Sequence, residues 1–159
     1  MESKVALIGN GEAGRAFDLA GTWRAFDLLA DRTRHASLAE ALATAEVIFS
    51  VVTADQALAA AQAASRHLAE GALFLDMNSV APDTKRAAAQ AIEAGGGCYL
   101  DVAVMSPVLP KRLATPLLVS GPHAGAALEV LGALGFSQVR AVGSEVGRAS
   151  TIKMLRSVM

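Results

Sequence analysis

The sequence has little of what staples small secreted or metal-bound domains. Its 159 residues contain a single cysteine, Cys98, which excludes an intrachain disulfide and a structural zinc site built on thiolates and fits a reducing cytoplasm. The histidines His35, His67 and His123 show no pairing at helical spacing, so no metal site is expected. Net charge is nearly absent: 14 basic against 15 acidic side chains leave a formal -1, and no global field draws in nucleic acid or an anionic membrane. No stretch approaches the ~20 apolar residues of a membrane span. Met1-Glu2-Ser3-Lys4-Val5 leads straight into a strand-like segment, without the basic start and roughly 7–15-residue apolar core of a secretory signal. Aromatic residues make up only 4% of the chain, whereas alanine takes 34 positions and glycine 14. With 53% of residues apolar, these small side chains describe close packing of helices on strands, in a chain sized for one domain rather than two.

Short apolar stretches of strand length alternate with alanine-rich segments of helical length, the pattern of βα units. Strands are expected at 5–8, 23–26, 47–52, 72–76, 98–104, 116–119 and 137–142. Continuous apolar stretches such as Val5-Ala6-Leu7-Ile8 indicate strands of a parallel sheet buried on both faces. Helices are expected at 12–20, 37–45, 55–70, 82–94, 122–134 and from 145 to the last residue. Their punctuation is physical: Ser37 and Glu40 form a Ser-x-x-Glu cap, Pro82 suits a first helical turn, and Gly21, Gly71 and Gly95 stop helices. The final helix has no terminating signal, and the sequence stops within it.

Gly9-Asn10-Gly11-Glu12-Ala13-Gly14 is a G-x-G-x-x-G string between an expected strand and an expected helix. Gly9 allows the tight turn, Gly11 lets a pyrophosphate approach the backbone, and Gly14 lets the helix lie close on the strand. A glycine-rich turn needs no ligand, but this context is that of a dinucleotide-binding loop. The adenosine ribose then calls for a group at the end of the second strand. Asp27, 18 residues after Gly9, can accept both ribose hydroxyls and favours NAD. Arg32, in Asp31-Arg32-Thr33-Arg34, can instead hold the 2′-phosphate of NADP. The choice between NAD and NADP stays open.

Beyond the fingerprint, Asp76-Met77-Asn78-Ser79-Val80-Ala81-Pro82 resembles the D-x-S-T-x-x-P segment of the β-hydroxyacid dehydrogenases, the family of 6-phosphogluconate and 3-hydroxyisobutyrate dehydrogenases. Asp101-Val102-Ala103-Val104-Met105-Ser106-Pro107 stands in place of that family's D-A-P-V-S-G-G segment, and Gly147 followed by Lys153 resembles its glycine-led helix with a catalytic lysine. V-M-x-P and I-K-M-x-R-S strings, here at 104–107 and 152–157, are similar to those of a phosphogluconate dehydrogenase-like branch. The resemblance implies a Rossmann-like, doubly wound α/β fold with a mostly parallel sheet. Residues 1–144 would form the NAD(P)-binding domain and 145–159 the start of an interdomain helix. In the family that helix continues into an all-α domain, expected to be missing here, which covers the substrate cleft and builds a homodimer.

The resemblance also implies residue roles. Val52-Thr53 and Asn78-Ser79 would border the ribose and nicotinamide, and Lys153 would give or take the hydroxyl proton. Met105, Ser106 and Ser157 would shape the side facing a small-molecule substrate. The family asparagine four positions after the lysine is here Ser157, and Pro107 has no N–H to offer a carboxylate. These departures argue against hydroxyisobutyrate and phosphogluconate themselves. The expected function is hydride transfer between nicotinamide and a small hydroxy acid or related carbonyl compound. The rivals are an imine or ketone reductase and a non-catalytic dinucleotide-binding or dimerisation module. Taken as residues alone, Lys153 and the pairs Lys85-Arg86 and Arg66-His67 read as solvated helix faces. Cys98 reads as a buried structural thiol, and Ile152, Met154 and Leu155 as packing residues.

Overall fold

The computed structural model describes residues 4–9, 11–17, 23–26 and 37–157. Seven strands, β1 (Val5–Ile8), β2 (Arg24–Phe26), β3 (Val47–Ser50), β4 (Leu73–Asp76), β5 (Cys98–Val104), β6 (Leu117–Ser120) and β7 (Val139–Ala141), form one sheet in the order β2-β1-β3-β4-β5-β6-β7. All neighbours are parallel except β5 and β6. The helices are α1 (Glu12–Phe17), α2 (Leu38–Leu42), α3 (Ala57–Ala64), α4 (Pro82–Ala94), α5 (Val108–Lys111), α6 (Ala124–Ala133) and α7 (Arg148–Ser157). This is the Rossmann-like, doubly wound α/β architecture that the resemblance implies, built from the βα units of the alternation.

Strand residues point alternately to opposite faces, and the core divides accordingly. Val5, Leu7, Val47, Phe49, Leu73, Leu75, Leu100 and Val102 pack on one face with Phe17, Ala127, Leu131 and Phe136. Ala6, Ile8, Ile48, Phe74 and Tyr99 pack on the other with Leu42, Ala61, Ala64, Ala88 and Ile92. The scarce aromatics are concentrated: Trp23 stacks on Phe49 at 4.8 Å, Phe49 on Phe136 at 5.9 Å, and Phe136 meets Phe17 at 5.3 Å. Such ring contacts add about 0.5–1.5 kcal/mol each beyond area burial, and this chain of rings anchors α1 and the segment after α6 to the first face.

The chain leaves β1 for β2 on one side and returns past it to β3 on the other. That makes the crevice beyond the carboxyl ends of β1 and β3 the switch point where doubly wound sheets take ligands.

Several expected elements change length or form. The helix expected over 55–70 is a short 3-10 turn, Ala54–Gln56, followed by α3, which ends at Ala64. Its alanines would continue the helix on propensity alone, but the Ser65 hydroxyl donates back to Gln62 O at 2.6 Å and the chain turns away. The last helix begins at Arg148 rather than 145 because Gly147 adopts φ +99°. Between β5 and β6 the chain makes α5 and a 3-10 turn, Arg112–Ala114, and returns antiparallel without a crossover. The ends of the helices expected at 12–20 and 145–159 fall partly outside the described residues. No helix among the described residues is long and apolar enough to cross a membrane.

Candidate functional site at the carboxyl edge of the sheet

The glycine turn is built as its spacing requires. Gly9 ends β1 at φ +93°, and a Cβ there would lie 2.0 Å from Val51 O. A Cβ on Gly14 would meet Gly9 O at 2.4 Å and a Leu7 methyl at 3.1 Å, so α1 lies directly on β1. Gly11 opens α1, its carbonyl accepting from Arg15 N at 2.9 Å. Gly9→Ala combines a left-handed backbone with a backbone collision, and is expected to cost about 3 kcal/mol or more, readable as a lowered urea midpoint.

The ends of β3 and β4 are tied by Asn78. Its Oδ1 accepts from Val52 N at 2.7 Å, and its Nδ2 donates to Ser50 Oγ at 3.0 Å and Asp76 Oδ1 at 2.9 Å. Both amide hydrogens are thereby spent inside the protein. The side chain of Asn78 holds the floor of the edge, while the neighbouring Ser79 is exposed. Thr53 is also exposed and Val52 half-buried at the β3 end.

Below this edge lies a buried polar network that overturns the reading of Lys85 as solvated. Lys85 is fully buried; its Nζ lies 3.0 Å from Asp101 Oδ1 and 3.5 Å from Asp76 Oδ1, and donates to Asp76 O at 2.6 Å. The physical reason is its place on α4, where Lys85, Ala88 and Ile92 share the face turned to the sheet. Tyr99 OH donates to Asp76 Oδ2 at 2.6 Å, and burial followed by the Asp76 charge pushes its phenol far up, so it stays a donor.

Asp101 reaches α7. Its Oδ2 accepts from Gly147 N and Ser150 N, each at 3.0 Å, and Ser150 Oγ donates to Oδ1 at 2.6 Å. Ala149 N donates to Ser120 Oγ at 3.0 Å. A carboxylate from β5 thus caps the unsatisfied N–H groups at the head of a helix distant in sequence.

One turn beyond Ser150, Lys153 extends over the β4 end, where its Nζ donates to Ser79 Oγ at 2.8 Å. Lys153 is half-buried, not solvated. Burial, and after it the Lys85 ammonium, hold its amine below the ordinary value of 10.5. Lys153, Ser79, Asn78, Ala103 and Ser157 line a cavity of about 390 Å³, together with Val80, Ala81, Ser150 and Met154.

The sequence-expected residues sort as follows. Gly9, Gly11, Gly14, Val52, Thr53, Asn78, Ser79 and Lys153 lie on or over the carboxyl edge of the sheet. Glu12 and Ala13 stand in the first turn of α1, and Asn10, Asp27, Arg32 and Arg34 lie outside the described residues. Ser157 joins the cavity, although its hydroxyl also donates to Lys153 O at 3.0 Å; Met105 and Ser106, half-buried after β5, are not among the described residues lining it. Met154 and Leu155 are corrected from packing residues to exposed ones, at 51% and 59%, because α7 turns Ala149 and Ser150 to the protein. Cys98 is half-buried rather than buried, and burial together with Glu93 pushes its thiol up, away from a reactive thiolate. Among the described residues no cluster of histidine, cysteine or carboxylates has the makings of a metal site.

Comparison with known proteins agrees with this geometry. The NAD-binding domain of 6-phosphogluconate dehydrogenase matches residues 4–140. A conserved hypothetical protein from Sinorhizobium meliloti 1021 is 37% identical, with a TM-score of 0.89 over 100% of this chain and 60% of its own. A conserved protein of unknown function, described as structurally similar to 3-hydroxyacid dehydrogenases, is 28% identical, with a TM-score of 0.81 over 96% of this chain and 62% of its own. An imine reductase of Streptomyces aurantiacus shares the fold at 23% identity, with a TM-score of 0.81 over 97% of this chain and 60% of its own. No curated protein sequence matches. The chain thus spans about 60% of the length of these solved relatives. With the glycine turn, the switch-point crevice and the match over residues 4–140 in agreement, the chain belongs to the family of NAD-binding domains of 6-phosphogluconate dehydrogenase.

Proposed function

We propose that this chain is the cofactor domain of an NAD(P)-dependent oxidoreductase that moves a hydride between nicotinamide and a small hydroxy acid or related carbonyl compound. The observation that carries the reading is the Lys153 amine, half-buried in a cavity at the same sheet edge as the glycine turn and 2.8 Å from the Ser79 hydroxyl. The residues present suit a dinucleotide: Gly9 turns the chain tightly against Val51 O, Gly14 lets α1 lie on β1, and Gly11 has no Cβ to block a pyrophosphate. The bound nicotinamide supplies or accepts the hydride. Asp27 or Arg32 would meet the adenosine ribose, Val52-Thr53 and Ser79 would border the nicotinamide ribose, and Met105, Ser106 and Ser157 would face the substrate. Cytoplasmic placement and a homodimeric whole protein belong to the same reading.

In the oxidising direction, the free amine of Lys153 takes the hydroxyl proton as the carbon gives up its hydride; in reduction the ammonium returns that proton to the new alkoxide oxygen. A lowered lysine midpoint makes both forms accessible nearer neutrality. Oxidation is therefore expected to accelerate as pH rises through that midpoint and reduction to slow, with the change centred below 10.5. pH–rate profiles of the full-length protein in both directions check this.

A reductase of imines or ketones is the second reading. It is favoured by the apolar share of the cavity lining, where Val80, Ala81, Ala103 and Met154 stand alongside Lys153 and its polar neighbours, and by Pro107 in place of a carboxylate-binding N–H. A substrate panel separates the two: imine reduction without alcohol oxidation rejects the hydroxy-acid assignment. Tight cofactor binding without turnover by the full-length protein rejects both in favour of a non-catalytic module.

A further inference from the structure

The cavity is contributed by three separate pieces of chain: the loop after β4, the end of β5 and one side of α7. One buried group touches the supports of all three. Lys85 Nζ donates to Asp76 O at the β4 end, and lies 3.4 Å from Val102 O and 3.0 Å from Asp101 Oδ1 on β5. The Asp101 carboxylate in turn holds Gly147 N, Ser150 N and Ser150 Oγ at the head of α7. Stability alone does not call for a cation here, since buried ion pairs roughly break even against apolar packing of the same shape. What apolar side chains cannot do is fix a strand end and a helix head in one relative orientation through directed hydrogen bonds.

We propose that Lys85 is a positioning residue for Lys153: its ammonium ties the ends of β4 and β5, and through Asp101 the head of α7, into one unit that seats Lys153 against Ser79. Lys85 itself is fully buried and is not among the residues lining the cavity. It acts through Asp101, and through its own charge beneath the Lys153 amine. Among the described residues, the charged or titratable groups around α7 include Asp76 and Asp101, both engaged with Lys85, Tyr99, held protonated against Asp76, Arg86, whose guanidinium borders Gly147, Glu145 just before the helix, and Arg148 and Arg156 on the helix itself. The inference rests on reading Lys153 as the acid/base group only for its functional meaning.

The test reads the Lys153 amine directly. The chain has four lysines, Lys4, Lys85, Lys111 and Lys153, so a carbon-13 label at lysine Cε gives a spectrum simple enough to assign with Lys153→Arg. In Lys85→Met the Lys153 midpoint is expected to move upward by more than about 0.5 pH unit, the direction set by losing a neighbouring like charge and a fixed seat. A folded Lys85→Met chain with an unchanged Lys153 midpoint overturns the proposal. Should Lys85→Met not fold, Ser150→Ala severs the hydroxyl link between α7 and Asp101 while keeping every charge. An upward shift there supports the tie, and a wild-type midpoint contradicts it. Because turnover is not the readout, full activity of Lys153→Ala would remove the acid/base role without touching this coupling.

Discussion

Replacing Lys153 by alanine in the full-length protein is expected to cut turnover about 10²–10⁴-fold, the usual contribution of a positioned general acid or base, while leaving cofactor affinity nearly unchanged. The two effects separate because the groups are separate. The cofactor's pyrophosphate would rest at the glycine turn after β1, whereas Lys153 comes from α7 and meets the loop after β4 at Ser79. Its half-buried amine is also the titratable group of the cavity whose ordinary value is displaced in the direction that acid/base work needs. Steady-state kinetics with a parallel fluorescence titration of the cofactor read both quantities. A variant with full turnover takes Lys153 out of the chemistry, and one that loses cofactor binding makes it a structural or cofactor-binding residue instead.

Asp101→Ala is expected to destabilise the chain by about 3–5 kcal/mol, because it leaves a buried lysine short of its nearest counter-charge. For a chain of this size that is roughly a 6–20 °C fall in the thermal midpoint. Asp101 is fully buried and stands 3.0 Å from Lys85 Nζ, and its carboxylate also accepts both capping N–H groups of α7. Removing it therefore strands a charge and uncaps a helix in one step. Tyr99→Phe provides the comparison: it deletes one hydroxyl from Asp76 but leaves the ion pairs intact, and is expected to cost less, about 1.5–3 kcal/mol. Calorimetric scans of both variants check the pair. Equal losses, or a negligible loss in Asp101→Ala, would mean that the ion pairs do not hold the two strands and α7 together.

Much of this architecture is legible in the residues because it is local. Val5-Ala6-Leu7-Ile8 reads as a strand because both of its faces are apolar, Cys98 to Val104 reads as another of strand length, and both are strands. Ser37 caps α2 by accepting from Glu40 N at 3.1 Å, as the Ser-x-x-Glu spacing indicates. Residues 76–82 and 101–107, which resemble dehydrogenase segments, stand at the carboxyl ends of β4 and β5. The buried network was not legible in the same way, since Asp76, Lys85 and Asp101 lie on three elements and meet only through the sheet register that pairs Asp76 with Asp101. A signal existed nonetheless: Lys85 occupies the stripe continued by Ala88 and Ile92, where a charge needs a partner. The antiparallel return of β6 escaped for another reason. A strand's direction depends on whether its connection crosses the sheet, and the stretch from Met105 to Pro116 carries no composition that distinguishes α5 and a 3-10 turn from a crossover. The early end of α3 has no signal in its helix-favouring alanine context; it falls at Ser65, whose hydroxyl bonds back to Gln62 O.

The most direct test of the proposed site is a calorimetric titration of the folded chain with NADH and with NADPH, repeated on Gly11→Asp. Saturable binding of one or both nucleotides by the native chain, abolished in a Gly11→Asp chain that keeps its fold, is the expected result. No heat with either nucleotide from a correctly folded native chain, or equal binding by Gly11→Asp, would contradict the assignment of the glycine turn as the cofactor's pyrophosphate site.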